Sequence, residues 1–544
     1  MPNASADRVV MTPHAGRIFA SILLAGLVLR ILGLTWGLPS NVIPGELPFH
    51  PDELVAFEQG GDLYRAPDPI TFTWGGVFYF RLAWLARNAA GLLGAGTPAE
   101  AKVLTLVMLR LANVLFALVS AGAIRRAGQR LFGDRAGLLA AFLFLSFPAH
   151  VLESHYGRPD VLQVLLATVS LAAAAEVATG GGLRWLAGGS LAAGLAIATM
   201  QWGYVALVPL AIAVMVGGRD ASFPAFARRV LTSGVLVGAV ALLGYGLGSI
   251  ETLTFWKVFL VGRQRASVMH GASSYRIAGA LLLPVSFYSF GTLSTLAAYA
   301  GGIVTLRPGS PRKRWIVSGQ LLAGCLLVGL IQGEMMRYVL FLAPSVALLA
   351  AFVIDGVIEA LAARSAHVDR VRAVAYAVVA VAALQVPVSY VWPMQFGEDA
   401  RYRAGRWING SAPLGAQVGV APSFYGDWTY VPRFPDASRI QVNEQQLRSN
   451  FDSSYYLDIG FAYWALSDFT MADALKSSAA GFVTALRSGD RYRVAARFGP
   501  PWQPLCIPRL LGFPQPGDLL YVRQTFTVFE RADLRHGGSV SARD

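Results

Sequence analysis

The side chains that could do chemistry in this sequence gather in three short stretches. The first is FHPDE, residues 49–53, where Asp52 and Glu53 follow His50 and Pro51. One carboxylate of such a pair can accept a proton while its neighbour orients a ligand or holds a cation. The same pair in the first turn of a helix also favours the helix dipole, and Pro51 suits a helix start. The second stretch is ESHYGRPD, residues 153–160. Asp160 opens an apolar run there, two residues after Arg158, and reads either as an N-capping aspartate or as a group on a substrate path. The third is GEMMRYVLFLAP, residues 333–344, in which Arg337 and Tyr338 head another apolar run. Arg337 either snorkels to lipid headgroups or grips a phosphate through its planar fork of donors. Lys257, Arg263, Arg265 and Arg276 lie between residues 250 and 277 and could add to that phosphate site or form a solvated loop face. His50 and His155 flank acids, so a divalent cation such as Mg or Mn is a further option, although no zinc-type Cys/His spacing occurs.

The chain that must position these groups is built for a membrane. Of its 544 residues 55% are hydrophobic and only 14% charged, and the mean hydropathy is +0.50. Soluble domains carry about a quarter charged residues, so this chain has more apolar surface than a water-facing fold can absorb. That excludes a soluble enzyme, a disordered chain and a DNA-binding module, and leaves a polytopic α-helical membrane protein. The net charge of +13 would suggest nucleic acid in a soluble protein. Here the basic residues sit between apolar runs, which points to membrane orientation and to no nucleic-acid partner. Nearly all are arginine, the only lysines being Lys102, Lys257, Lys313 and Lys476, a habit of GC-rich bacterial genomes. Two cysteines, Cys325 in an apolar run and Cys506 near the polar C-terminus, make no disulfide framework.

A spanning helix needs about 20 mainly apolar residues. Such segments lie near 18–37, 103–124, 136–152, 161–179, 184–200, 203–217, 231–249, 278–304, 315–332, 338–358 and 373–392. The first is too long for a signal-peptide core and is expected to remain as an anchor. Residues 75–95 are apolar but interrupted by Arg81 and Arg87. An arginine at mid-bilayer costs about 2.5–3.5 kcal/mol, so this segment is expected to lie at the interface, within an outer loop over 38–102. A crossing there would turn Arg125, Arg126, Arg130 and Arg135 outward, against the positive-inside rule. Reading 184–217 as two short passes leaves ten basic residues of the later loops, from Arg219 to Arg372, inside and five, Lys257 to Arg337, outside. The expectation is about eleven spans in a bacterial plasma membrane, with the N-terminus cytoplasmic and the C-terminus outside. Arg30 and Arg110 fall within spans and should pair with carboxylates or face a wet cavity, Glu153 being a candidate partner for Arg110.

After residue 392 the composition becomes richer in charge, Pro and Gly, with apolar alternations such as GAQVGVA and GDLLYVRQTFTVFE. Residues 1–392 therefore read as the membrane domain and 393–544 as a soluble external α/β domain. The sequon at Asn409 is a three-residue match only. No internal repeat, P-loop, HExxH or GxSxG pattern occurs.

In order along the chain, these features resemble the GT-C glycosyltransferases, and most nearly family 39, which includes protein O-mannosyltransferases and aminoarabinose transferases. The resemblance rests on FHPDE at 49–53, LRLANVLFALVSAGAIRRAGQRLFG at 109–133, SHYGRPDVLQVLLATVSLA at 154–172, MRYVLFLAP at 336–344 and DARYRAGRWINGSAPLGAQV at 399–418. It implies transfer of a sugar from a polyprenyl-phosphate donor to a lipid, glycan or protein acceptor on the outer membrane face, with inversion at the sugar carbon. It also implies roles: Asp52 as the base, Glu53 as its support, Arg337 at the departing phosphate, and Asp160 with Arg158 orienting the acceptor or sugar. One departure stands out. Where aminoarabinose transferases carry a basic residue followed by prolines, this chain reads FTWGGVFYF, so Lys257 or Arg263 would have to substitute in holding the donor phosphate. The alternative is a lipid or solute transporter or flippase, built from intramembrane polar groups and rocking halves. Lack of inverted repeats and the concentration of acids on one face count against it. A structural cell-envelope partner acting through the external domain is a third reading.

Overall fold

The computed structural model describes residues 13–38, 50–59, 77–217, 222–245, 285–330, 336–421, 431–444, 461–467, 471, 475, 479–499, 510 and 525–533. Lys257, Arg263, Arg265, Arg276 and Cys506 lie outside them. Helix α1 covers Pro13–Ile31, and two shorter helices follow, α2 at Pro51–Gln59 and α3 at Val77–Leu92. At 16 residues, α3 is shorter than a bilayer crossing requires. Its Tyr79, Ala83 and Ala90 face inward while Leu85 and Leu92 are exposed.

Helix α4, Pro98–Leu131, starts at a capping box in which Thr97 and Glu100 satisfy each other's backbone N–H groups. Its 34 residues span about 51 Å, well beyond the roughly 30 Å hydrocarbon core, so Arg125, Arg126 and Arg130 are still helical rather than in a turn. Helix α5, Asp134–Ser146, crosses α4 so closely that a Cβ on Gly128 would lie 2.5 Å from Gly137 Cα. Only a glycine pair permits that backbone contact. The expected span 136–152 is broken, because Pro148 has no N–H to continue the helix, and α6, Pro148–Glu153, restarts in a new direction.

Helices α7, Asp160–Ala178, and α8, Leu183–Thr199, lead to a 3-10 turn at Gln201–Ala206 and α9, Leu207–Gly217. The stretch 184–217 is thus two helices, and the chain reverses where Gly203 sits against Ala196 too tightly for any Cβ. Then follow α10, Phe223–Tyr245, α11, Thr292–Leu306, and α12, Trp315–Leu330. A 3-10 turn at Met336–Leu342 feeds α13, Ala343–Ala362, and α14 runs over Val368–Phe396. Among the described residues six helical segments are long and apolar enough to cross a membrane: His14–Ile31, Pro98–Leu131, Asp160–Ala178, Phe223–Ala241, Met336–Ala362 and Val368–Ser411. Leu183–Thr199, Trp202–Gly217 and Thr292–Leu306 are shorter apolar helices. One continuous core joins the bundle through residues such as Leu109, Phe144, Leu162, Leu340 and Leu348. Outward, Leu115, Val235 and Val381 are exposed, as helices surrounded by lipid require.

Beyond α14, Asp399 caps α15, Ala400–Ser411, and the described residues form five strands: β1 Ala416–Val420, β2 Ile440–Glu444, β3 Tyr463–Ser467, β4 Tyr492–Phe498 and β5 Phe526–Arg531. The sheet order is β2-β1-β3-β5-β4, with β1 parallel to β2 and β3, and β5 antiparallel to β3 and β4. Helix α16, Ala480–Ser488, packs Phe482 against Trp464. Asn409 of the sequon is buried, and its amide pairs with the backbone of Asp436, so it is a structural residue.

Candidate functional site

The three polar stretches meet at one end of the bundle. Asp52 and Glu53 occupy the first turn of α2, as the helix-dipole reading expects, yet the two carboxylates do different work. Glu53 is fully buried, and Arg110 of α4 grips it with two parallel bonds, Nε to Oε1 at 2.9 Å and Nη2 to Oε2 at 2.7 Å. The Gly157 backbone N–H donates to the same Oε1 at 2.6 Å. The remaining Arg110 nitrogen donates to the carbonyls of Leu34 and Trp36. Two charges that deep cost several kcal/mol each to desolvate, and bidentate geometry with further hydrogen bonds is what offsets it. This single knot ties α4, α2, the chain after α1 and the turn 154–159 together. Arg110 therefore pairs with Glu53, and the expected partner Glu153 goes instead to Arg158, at 3.2 Å. Sequence distance misled here, because α2 folds back onto α4.

Arg158 is the hub of the second half. Its Nη2 lies 3.1 Å from Asp160 Oδ2 and 3.4 Å from Asp52 Oδ2. Asp160 is the first helical residue of α7, Pro159 is the cap, and the carboxylate turns to Arg158, so it is not an N-cap. Arg337, in the 3-10 turn ahead of α13, reaches the same Asp52 Oδ2 at 3.5 Å. It is buried, with its guanidinium over the half-buried Tyr338 ring at 5.3 Å, and does not snorkel. Asp52 Oδ2 is thus enclosed by two guanidinium groups. Asp52 is also the exception in burial: its side chain is 17% exposed, against 0%, 1% and 4% for Glu53, Glu153 and Asp160.

His50 sits beneath this pair. Its Nε2 lies 3.1 Å from Arg158 and 3.5 Å from Arg337, its Nδ1 accepts from the Asp52 N–H, and its ring meets Tyr156 edge-on. Burial first, then the charges of Arg158, Arg337 and Arg110, hold its pKa well below the usual histidine range. The imidazole is neutral and acts as a spacer between the cations. Burial lowers the pKa of His155 to about 4, against the opposing pull of two backbone carbonyls. The ring is enclosed between the carbonyls of Val151 and Leu32.

One helper was not singled out from the sequence. Asn113, one turn after Arg110, donates to the Tyr156 and Arg158 carbonyls at 2.6 and 3.1 Å and so holds the turn that carries Arg158. The signal was present in LRLAN, where two polar residues three apart share one face of an apolar helix. Arg30, expected to pair with a carboxylate or face a wet cavity, bonds to neutral groups: His150, Ser154 and the carbonyls of Gly26 and Leu145. The expected carboxylate is replaced by the Leu145 carbonyl that the Pro148 break leaves without a helical partner, at the negative end of the α5 dipole.

No group of three or more His, Cys, Asp or Glu side chains suited to a metal ion occurs among the described residues. The carboxylates around Asp52 are matched to arginines, so the donor set does not fit a divalent cation. What the arrangement can do is bind an anion on Arg158 and Arg337 and present an accessible carboxylate beside it.

Residues 102–244 match the family model described as dolichyl-phosphate-mannose-protein mannosyltransferase. A search among curated proteins found no sequence relative. Among solved structures, the chain is similar to ArnT from Cupriavidus metallidurans bound to undecaprenyl phosphate, at 14% identity and a TM-score of 0.50, over 95% of this chain and 98% of that one. It is also similar to the archaeal oligosaccharyltransferase AglB from Archaeoglobus fulgidus, at 14% identity and a TM-score of 0.47, over 84% and 70% of the two chains.

Proposed function

We propose that this chain, which has the GT-C glycosyltransferase fold and matches a protein mannosyltransferase family over residues 102–244, transfers a sugar from a polyprenyl-phosphate donor to an acceptor hydroxyl. The observation that carries the reading is Asp52: the one partly exposed carboxylate of the buried cluster, clasped by two arginines that an incoming phosphate can take over. In this scheme the donor phosphate binds Arg337 and Arg158 and draws them from Asp52 Oδ2. The released carboxylate accepts the proton of the acceptor hydroxyl as its oxygen bonds to the anomeric carbon from the face opposite the phosphate. The carbon–oxygen bond to phosphate breaks with both electrons going to the leaving group. Charge grows on the phosphate where the guanidinium groups already point, and the sugar inverts. Glu53 never touches substrate; with Arg110 it holds α2 so that Asp52 faces the site.

In the same reading the site lies on the outer face of a bacterial plasma membrane, and residues 393–544, which contain the sheet, form an external domain. The acceptor is a lipid, a glycan or a protein. The test is to offer the purified protein labelled polyprenyl-phosphate sugars and follow release of polyprenyl phosphate, alongside labelling of a D52C variant from each side of sealed vesicles. Release together with labelling from the outer side is expected. Failure to turn over any such donor, or labelling from the cytosolic side alone, would sink the assignment.

A further inference from the structure

The bundle core contains a polar atom that the catalytic scheme does not use. Tyr79, on the inward face of α3, is 1% exposed, and its hydroxyl is buried without any hydrogen-bond partner among the described residues. Helix α3 packs on α2, which carries Asp52 and Glu53, and on α4, which carries Arg110. The charges of Glu53, Arg158 and Asp160 all act on this hydroxyl, so it shares the polar site rather than lying elsewhere in the core. A buried hydroxyl with no partner forfeits its hydration for nothing, and native proteins rarely keep one without a use. Phenylalanine would fill the same volume at no such cost, as it does at the flanking Phe78 and Phe80.

We infer that Tyr79 is a further substrate-contacting residue, whose hydroxyl donates a hydrogen bond to an oxygen of the bound lipid-linked donor. Burial raises the phenol's pKa well above its usual value, with Glu53 and Asp160 adding to the effect against Arg158. The group therefore remains a neutral O–H at any working pH, a donor where a phosphate or sugar oxygen offers an acceptor. The inference rests on the transferase reading for the identity of the ligand, while the unpaired hydroxyl itself does not.

The test is Y79F in the full-length protein, which removes one oxygen and leaves the packing. Three quantities are measured: thermal stability without ligand, binding of sugar-free polyprenyl phosphate, and KM for the polyprenyl-phosphate sugar. The expected result is a variant more stable than the parent without ligand, because a desolvated unpaired group is gone, yet with donor KM raised about five- to tenfold, the scale of one neutral hydrogen bond. Equal weakening for polyprenyl phosphate places the contact on the phosphate, and weakening confined to the sugar-bearing donor places it on the sugar. Unchanged donor KM and unchanged polyprenyl-phosphate binding would overturn the inference, whether stability rises, as for a hydroxyl that is merely unpaired, or falls, as for one held by an ordered water. If Y79F does not fold, Y79M serves the same comparison. If the parent turns over no polyprenyl-phosphate sugar, the transferase reading fails separately, and polyprenyl-phosphate binding alone then decides the role of Tyr79.

Discussion

Two ends of the same helices carry arginine–carboxylate clusters, and they are built differently. Asp160 and Glu176 lie 16 residues apart on α7, and Arg110 and Arg126 are equally spaced on α4, about 24 Å in each case. At one end Glu53, Glu153 and Asp160 meet Arg110 and Arg158 with every side chain 5% exposed or less. At the other, Glu176 takes Arg126 at 2.6 Å and Arg130 at 2.9 Å, but those arginines are 41% and 27% exposed. Around them Arg135 and Arg372 share Glu359, while Lys313 and Arg314 donate to the last carbonyls of α4. Pairs open to solvent contribute little and are what a basic membrane face accumulates. Buried ones are costly unless every partner is present, so their persistence points to a use other than stability. Two chemically similar clusters on one pair of helices are told apart by the exposure of their arginines, since Glu176 is itself only 4% exposed.

The contrast yields predictions in descending size. Glu53→Ala strands Arg110 in the core and should cost about 3–5 kcal/mol, read as a collapse of thermal stability in detergent. An unchanged melting profile would mean that the knot is not what holds α2. Asp52→Asn should leave that profile intact and cut turnover at least about a hundredfold, the scale of a lost base; full activity would remove the base assignment. Arg337→Ala should raise donor KM about tenfold and leave acceptor KM alone, and the reverse split would take Arg337 off the phosphate. Arg126→Gln, at the solvent-open end, should shift stability by no more than about 1 kcal/mol and leave turnover unchanged.

A weaker effect should come from pH. His155 has a folded pKa of about 4, below its unfolded value of 6.5. The unfolded chain therefore binds more protons between those values, and stability present above pH 6.5 should drain away as pH falls toward 4. His50, lowered in the same direction, should add to that slope. A melting temperature flat across this window would contradict the lowered pKa of both rings.

Much of the fold was legible because hydrophobic length is a local property. Where they are described, the long apolar runs are helical, and the ordered motifs pointed to the GT-C fold that the structural similarity bears out. Boundaries were less legible where a single residue intervened: Pro148 split one expected span, and α4 ran on past residue 124 because nothing in Ala-rich LVSAGAIRRAGQRL stops a helix. The site was legible as a set of residue types and not as a set of pairs. Arg110 was visible as an intramembrane charge, but Glu53 as its partner was not, since residues 57 apart in sequence meet only after α2 packs on α4. Asn409, a weak three-residue match by its letters, is buried and paired with the backbone of Asp436.

Composition and the run lengths of apolar residues were enough to determine a membrane-embedded helical chain with its acids and arginines in a few short stretches, because transfer free energy depends on residue type and on little else. Which carboxylate stays partly exposed, which is locked, and which arginines confront it were decided only by tertiary packing. Those are questions of distance and water access, and neither exists until the helices are assembled.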